Sequence, residues 1–216
     1  MYNPENNLSE SPSHPSLTER VPGFFEQEME KIKTPEELLA FMKERLRYGF
    51  IGKEDGMVYS PEIEGWGKGE SPEPVIQSPE EALESGYGEC WSQTELERAW
   101  FLANNEEYKF KTFLLRIGSG GDVDQKNPAH TMLAYKKDDK WHWFENTWDD
   151  YNGIHEFDDL ESLLDDVQNK FISEYGATEN DIQTFKLAEY KETRPHECDD
   201  RGEFLSGVAS EGLQLD

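Results

Sequence analysis

Cys90 lies in the stretch Gly86-Tyr87-Gly88-Glu89-Cys90-Trp91, where the glycines allow a close backbone approach and a helix begins. The first turn of a helix offers unpaired N–H groups and the positive end of the macrodipole. With a neighbouring imidazolium, such a setting lowers a cysteine pKa from about 8.5 into roughly the 3.5 to 7.5 range, which makes the sulfur a nucleophile at neutral pH. That chemistry also needs a base within hydrogen-bond reach and a third group to orient the base. His130 is the candidate base, because it precedes the apolar run Thr131-Met132-Leu133-Ala134-Tyr135 and so stands at the mouth of a strand. The next strand, Trp141-His142-Trp143-Phe144-Glu145-Asn146-Thr147, brings Glu145 or Asn146 alongside as the orienting group. Neighbouring strand residues point to opposite faces, so only one of these two can share the face of His130. Asp149 is a more remote third. The Cys90 backbone N–H is the obvious oxyanion donor, with Gln77 and Trp91 as side-chain alternatives, and Gly88 and Trp91 are expected to line a substrate groove.

These residues need a helix and two adjoining strands to bring them together. Leu96, Ala99, Trp100 and Ala103 recur at helical spacing from Cys90 to about Asn104. Apolar or β-branched runs at 108–117, 131–135 and 141–148 read as strands, the last two joined by the charged turn 136–140. Upstream, Thr34-Pro35-Glu36-Glu37 predicts a helix over about 34–48. Ser78-Pro79-Glu80-Glu81 predicts a second, short helix ended by Gly86 and Gly88. Downstream, Asp158 with Glu161 caps the stripe Leu160, Leu163, Leu164, Val167 and Phe171, and a last strand is expected at 182–188. The pattern is α+β, with helices packed on an antiparallel sheet.

The ordered elements Gly88-x-Cys90-Trp91, Ala129-His130 and Trp141-x-x-Phe144-Glu145-Asn146-Thr147 resemble the transglutaminase-like superfamily over roughly residues 78 to 165. The resemblance implies a papain-like/transglutaminase-like core with its cleft between the Cys90 helix and the His130 strand. It implies thiol-dependent acyl transfer on an amide bond, by a peptidase or amidase when water is the acceptor and by a transglutaminase when an amine is. Matching the phrases puts Glu145 where the family has Asp, and Asn146 where it has Pro. That departure leaves two alternatives to Glu145 open: Asn146 acts as the papain-like Asn, or the third position is degenerate. No cofactor is implied. Members with altered sites bind proteins or peptides without catalysis, and that is the alternative reading.

Composition narrows the partners. With 21 Lys and Arg against 47 Asp and Glu, the formal net charge of -26 repels nucleic-acid phosphates and anionic membrane surfaces. It favours protein or peptide substrates that carry Lys or Arg. No run approaches the ~20 apolar residues of a membrane span, and the opening Met1-Tyr2-Asn3-Pro4-Glu5 lacks the features of a signal peptide, so a cytoplasmic protein is expected. There Cys90 and Cys198 stay reduced. No Cys-x-x-Cys or His-x-x-x-His spacing points to a metal, and Gly118-Ser119-Gly120-Gly121 lacks the Lys and helix of a phosphate loop. His142 and His155 read as packing or surface residues, and His196-Glu197-Cys198 as solvated. Residues 1–20 are expected to form a disordered arm, 21–190 a single transglutaminase-like domain, and 191–216 a flexible acidic tail.

Overall fold

The structure, a computed structural model, describes residues 24–63, 72–117, 128–176, 178–179, 183, 185–190 and 213–214. The arm expected over residues 1–20, Trp66, Cys198 and most of the tail lie outside the described residues. The chain divides into a first unit, residues 1–31, whose described part is helix α1 (Phe24–Lys31), and a second, residues 32–216, that carries every candidate site residue.

Helix α2 (Pro35–Arg45) starts as its sequence dictates: Thr34 accepts from the Glu37 N–H at 3.2 Å, and Pro35 occupies a position with no N–H to satisfy. It stops short of residue 48, because Arg47–Tyr48 (β1) are drawn into parallel pairing with Tyr87–Gly88, and Leu46 turns extended to allow it. Phe50–Ile51 (β2) and Val58–Tyr59 (β3) form a small hairpin on which the Phe50 and Tyr59 rings stack. Helix α3 (Pro79–Ser85) has both bonds of a capping box, between Ser78 and Glu81, and ends at Gly86 with φ 74°, a conformation that favours glycine. Tyr87–Gly88 (β4) then runs into helix α4 (Cys90–Ala103). The chain entering Cys90 is therefore a paired strand rather than a free loop.

Behind α4 lies a six-stranded sheet whose neighbours are all antiparallel. Its strands are β5 (Lys109–Arg116), β6 (Ala129–Lys137), β7 (Lys140–Glu145), β8 (Gly153–Phe157), β9 (Lys186–Tyr190) and β10 (Leu213–Gln214), in the order β10-β9-β5-β6-β7-β8. The β6–β7 hairpin closes on Asp138 and Asp139 with φ of 51° and 65°, the two left-handed residues that match the twist of paired strands. This turn sets the register Leu133↔Phe144. Alternation then sorts the side chains. Phe113, Leu115, Met132, Ala134 and Trp143 point to one face, where Leu163, Val167 and Phe171 of helix α5 (Leu160–Tyr175) complete the main core. Thr131, Tyr135 and Phe144 point to the other, against Thr94 and Phe101 of α4.

The architecture is mixed α+β with a mostly antiparallel sheet. Three details differ from the sequence expectation. Asp159, not Asp158, caps α5 by accepting from the Ser162 N–H at 2.7 Å, while Asp158 pairs with Lys140. The strand expected at 182–188 runs Lys186–Tyr190. Strand β8 is not expected from the sequence, since it opens on a glycine and residues 146–152, with the 3-10 turn Asp149–Tyr151, separate it from β7. Among the described residues, no helix is long and apolar enough to cross a membrane.

Candidate active site

Cys90 is the first residue of α4, after an N-cap, Glu89, whose side chain makes no capping bond. The N–H groups of Cys90, Trp91 and Ser92 have no carbonyl one turn earlier in the helix, so they converge at the sulfur end. Helical spacing places Cys90, Thr94, Glu97 and Phe101 on one stripe of α4. Thr94 anchors this stripe, donating to the Thr131 carbonyl at 3.3 Å.

His130 enters from the start of β6. Continuing the hairpin register by one residue sets Glu145 opposite Met132, so His130 is its diagonal neighbour on the same face. The ring closes that gap: His130 Nε2 donates to Glu145 Oε2 at 2.8 Å. The Cys90 sulfur is the ring's other partner, and the backbone and side chain of Thr131 bond it as well. The indole of Trp148 lies edge-on to the imidazole, with centroids 5.2 Å apart. Cys90 and His130 are 7% and 8% exposed, so this contact operates at low dielectric.

Glu145 is still more enclosed, and its second oxygen is fully engaged. Oε1 accepts from the Thr147 N–H at 2.7 Å, the Trp148 N–H at 2.9 Å and the Thr147 hydroxyl at 3.0 Å. Those donors exist because the chain leaves β7 at once and folds the N–H groups of Thr147 and Trp148, two and three residues on, back on the carboxylate. The extra methylene of Glu over Asp is taken up by this turn. Burial pushes the Glu145 carboxyl up, but the His130 charge and hydrogen bond, with the two backbone donors, bring it below the usual range. For His130, burial disfavours the charged ring, yet the Glu145 and Cys90 partners prevail and raise it. For Cys90, burial raises the thiol, and the His130 bond and charge, aided by Thr131, carry it below its ordinary value. All three shifts favour a thiolate–imidazolium–carboxylate line.

Asn146 is on the opposite face. Its Nδ2 donates to Gln93 Oε1 on α4 at 2.6 Å, so it does not touch His130. Asp149 belongs to the 3-10 turn. Gln77 spends its amide donors on Ser85 Oγ at 2.8 Å and the Glu81 carbonyl at 3.3 Å. Trp91 packs in a buried cluster with Ile76, Leu114 and Tyr190, and Gly88 is buried in β4. Among the described residues no three His, Cys, Asp or Glu side chains are grouped to hold a metal ion.

Sequence reasoning passed over Thr131, Gln93, Glu97 and Tyr175. Glu97 could have been found as the residue seven after Cys90, two turns along the same stripe. Tyr175 gave no signal, being far away on α5, but burial, its Glu174 hydrogen bond and the charges of Cys90 and Glu145 raise its phenol. Neither protein-family models nor curated proteins match this sequence.

Proposed function

We propose that the chain is a thiol-dependent acyl-transfer enzyme acting on amide bonds, built on a papain-like/transglutaminase-like core, with Cys90 as nucleophile, His130 as acid and base and Glu145 as orienting group. The observation that carries this reading is the two-sided engagement of His130, with Cys90 on one side and a fully hydrogen-bonded carboxylate on the other. In the first half-reaction the Cys90 thiolate attacks the amide carbonyl and the oxyanion forms beside the backbone N–H groups of the first α4 turn. The tetrahedral intermediate collapses to a thioester, and the His130 imidazolium gives its proton to the departing amine. In the second half, neutral His130 takes a proton from the acceptor as it attacks the thioester, and Cys90 leaves as thiolate. Glu145 keeps Nε2 protonated and the ring turned to the sulfur throughout. Water as acceptor gives a peptidase or amidase. The acidity of the chain favours protein or peptide substrates with Lys or Arg, and a cytoplasmic setting suits the free thiol.

The burial of the sulfur favours a second reading, a catalytically silent peptide-binding module. Labelling with a small cysteine-reactive probe near pH 6 separates the two. The enzyme reading expects Cys90 to react much faster than Cys198 and to lose that advantage in His130→Ala. Equal, slow labelling of both cysteines, unaffected by His130→Ala, overturns it.

A further inference from the structure

Three side-chain amides line up between the nucleophile and the orienting turn, and the reaction uses none of them. Asn152 Nδ2 donates to the Asn146 carbonyl at 2.9 Å and approaches its Oδ1 at 3.5 Å. Asn146 Nδ2 donates to Gln93 Oε1 at 2.6 Å, and Gln93 Nε2 donates to the Gly88 carbonyl at 2.8 Å. The donors all run in one sense, so each amide polarises the next. At its far end the line meets the backbone that leads into Cys90. The Gln93 N–H also holds the Glu89 carbonyl at 3.0 Å. One residue, 1% exposed, therefore fixes both peptide planes immediately before the nucleophile, including the plane whose N–H is that of Cys90. At its near end the line begins on the residue next to Glu145. Gly88 accommodates the clamp because a Cβ there would meet Gln93 Cγ at 3.1 Å.

We infer that Gln93 and Asn146 are positioning residues, a strut that holds the start of α4 against the end of β7 so that the Cys90 sulfur and the Glu145-bound His130 ring stay in register. The inference rests on the proposed function and assigns Asn146 a role distinct from the papain-like one its residue type suggests. The strut bridges the end of β7 and the start of α4 on the sheet face that α4 covers. Its loss leaves α4 docked through Thr94 and its aromatic stripe but frees the first turn to drift. A misplacement of about 1 Å at such a site costs on the order of 100-fold in rate.

The test measures the pH profile of Cys90 alkylation by iodoacetamide in the full chain, for wild type, Asn146→Ala, Gln93→Leu and the double variant. Thermal stability is recorded alongside. Asn146 is only half-buried, so its variant keeps the test decisive even if Gln93→Leu fails to fold. The strut predicts that Asn146→Ala moves the acid limb of alkylation up by about one pH unit, a tenfold loss of rate below it. Where Gln93→Leu folds, it does the same, and the double variant is no worse than either single change. A profile like wild type in Asn146→Ala, with only the melting temperature lowered, overturns the strut while the catalytic reading stands. Wild-type Cys90 that alkylates like an ordinary thiol and ignores His130→Ala overturns the catalytic reading, and the strut falls with it.

Discussion

Two carboxyl groups, Glu145 at the end of β7 and Glu97 in the middle of α4, are each 2% exposed and lie close enough to act on one another. Their fates are opposite. Glu145 has an imidazolium on one oxygen and three donors on the other, and it ionises more readily than an exposed glutamate. For Glu97 burial dominates, the Glu145 charge adds to it, and its Oε2 has no hydrogen-bond partner, so its carboxyl is raised well above the ordinary range. His130, Glu95, Cys90 and Tyr190 also face it electrostatically. Equal burial therefore says little about charge in this molecule; the His130 partner, helped by the backbone donors of the turn, sets Glu145 apart. The surroundings of Glu145 favour its ionised form, and those of Glu97 oppose it.

The largest effect should come from removing the satisfied member. Glu145→Ala leaves His130 buried without its carboxylate and two backbone N–H groups without an acceptor, so denaturant unfolding should show a loss of about 3–5 kcal/mol. Glu145→Gln keeps the shape but not the charge. It should lower the acyl-transfer rate by orders of magnitude, as a wrong ring tautomer does, with a smaller loss of stability. A mild effect on rate would mean that Glu145 is a packing residue like any other.

His130→Ala should move Cys90 alkylation from a nearly flat neutral profile to one centred near the ordinary thiol value of about 8.5. Linkage fixes the companion effect on stability. The Cys90 pKa is lowered by folding, so its contribution is present above the unfolded value and lost as pH falls through the folded one. The His130 pKa is raised, so its contribution is present below the unfolded value and lost as pH rises through the folded one. The wild-type advantage over His130→Ala should therefore shrink toward alkaline pH.

Glu97 sharpens the contrast at smaller scale. Because folding raises its pKa, the wild type should lose stability as pH climbs from the ordinary glutamate value, about 4.3, through the folded one. Glu97→Gln mimics the protonated acid, so the two proteins should be about equally stable near pH 4.5. The variant should be ahead by on the order of 1 kcal/mol at pH 8. Equal stability at both pH values would show Glu97 to be ionised and paired. The smallest change, Thr147→Val, removes one of the three Oε1 donors and should cost about 1 kcal/mol, with little change in the alkylation profile.

Much of this was legible from residue types. Cys90 opens a helix because Gly86 and Gly88 end the preceding one and an apolar helical repeat follows, and His130 starts a strand because an apolar run follows it. The choice between Glu145 and Asn146 was not legible. It depends on a register set by the left-handed conformations of Asp138 and Asp139, and a slip of one residue would exchange the two faces. Parallel pairing of β1 with β4 involves two residues on each side, too few for any periodic pattern. Hydrogen bonds across 53 residues, such as Asn146 to Gln93, leave no trace in local sequence.

Trp148 gives the site an optical handle. Its indole lies edge-on to His130, and its Nε1 is anchored to Glu174 at 2.6 Å, so the ring cannot turn away. A charged imidazolium beside an indole quenches its fluorescence, whereas the neutral ring does so weakly. Among the six tryptophans of the sequence, Trp148 is held against the proton-carrying ring. The difference in emission between the wild type and Trp148→Phe thus reads the protonation state of His130 directly, in solution and without a substrate.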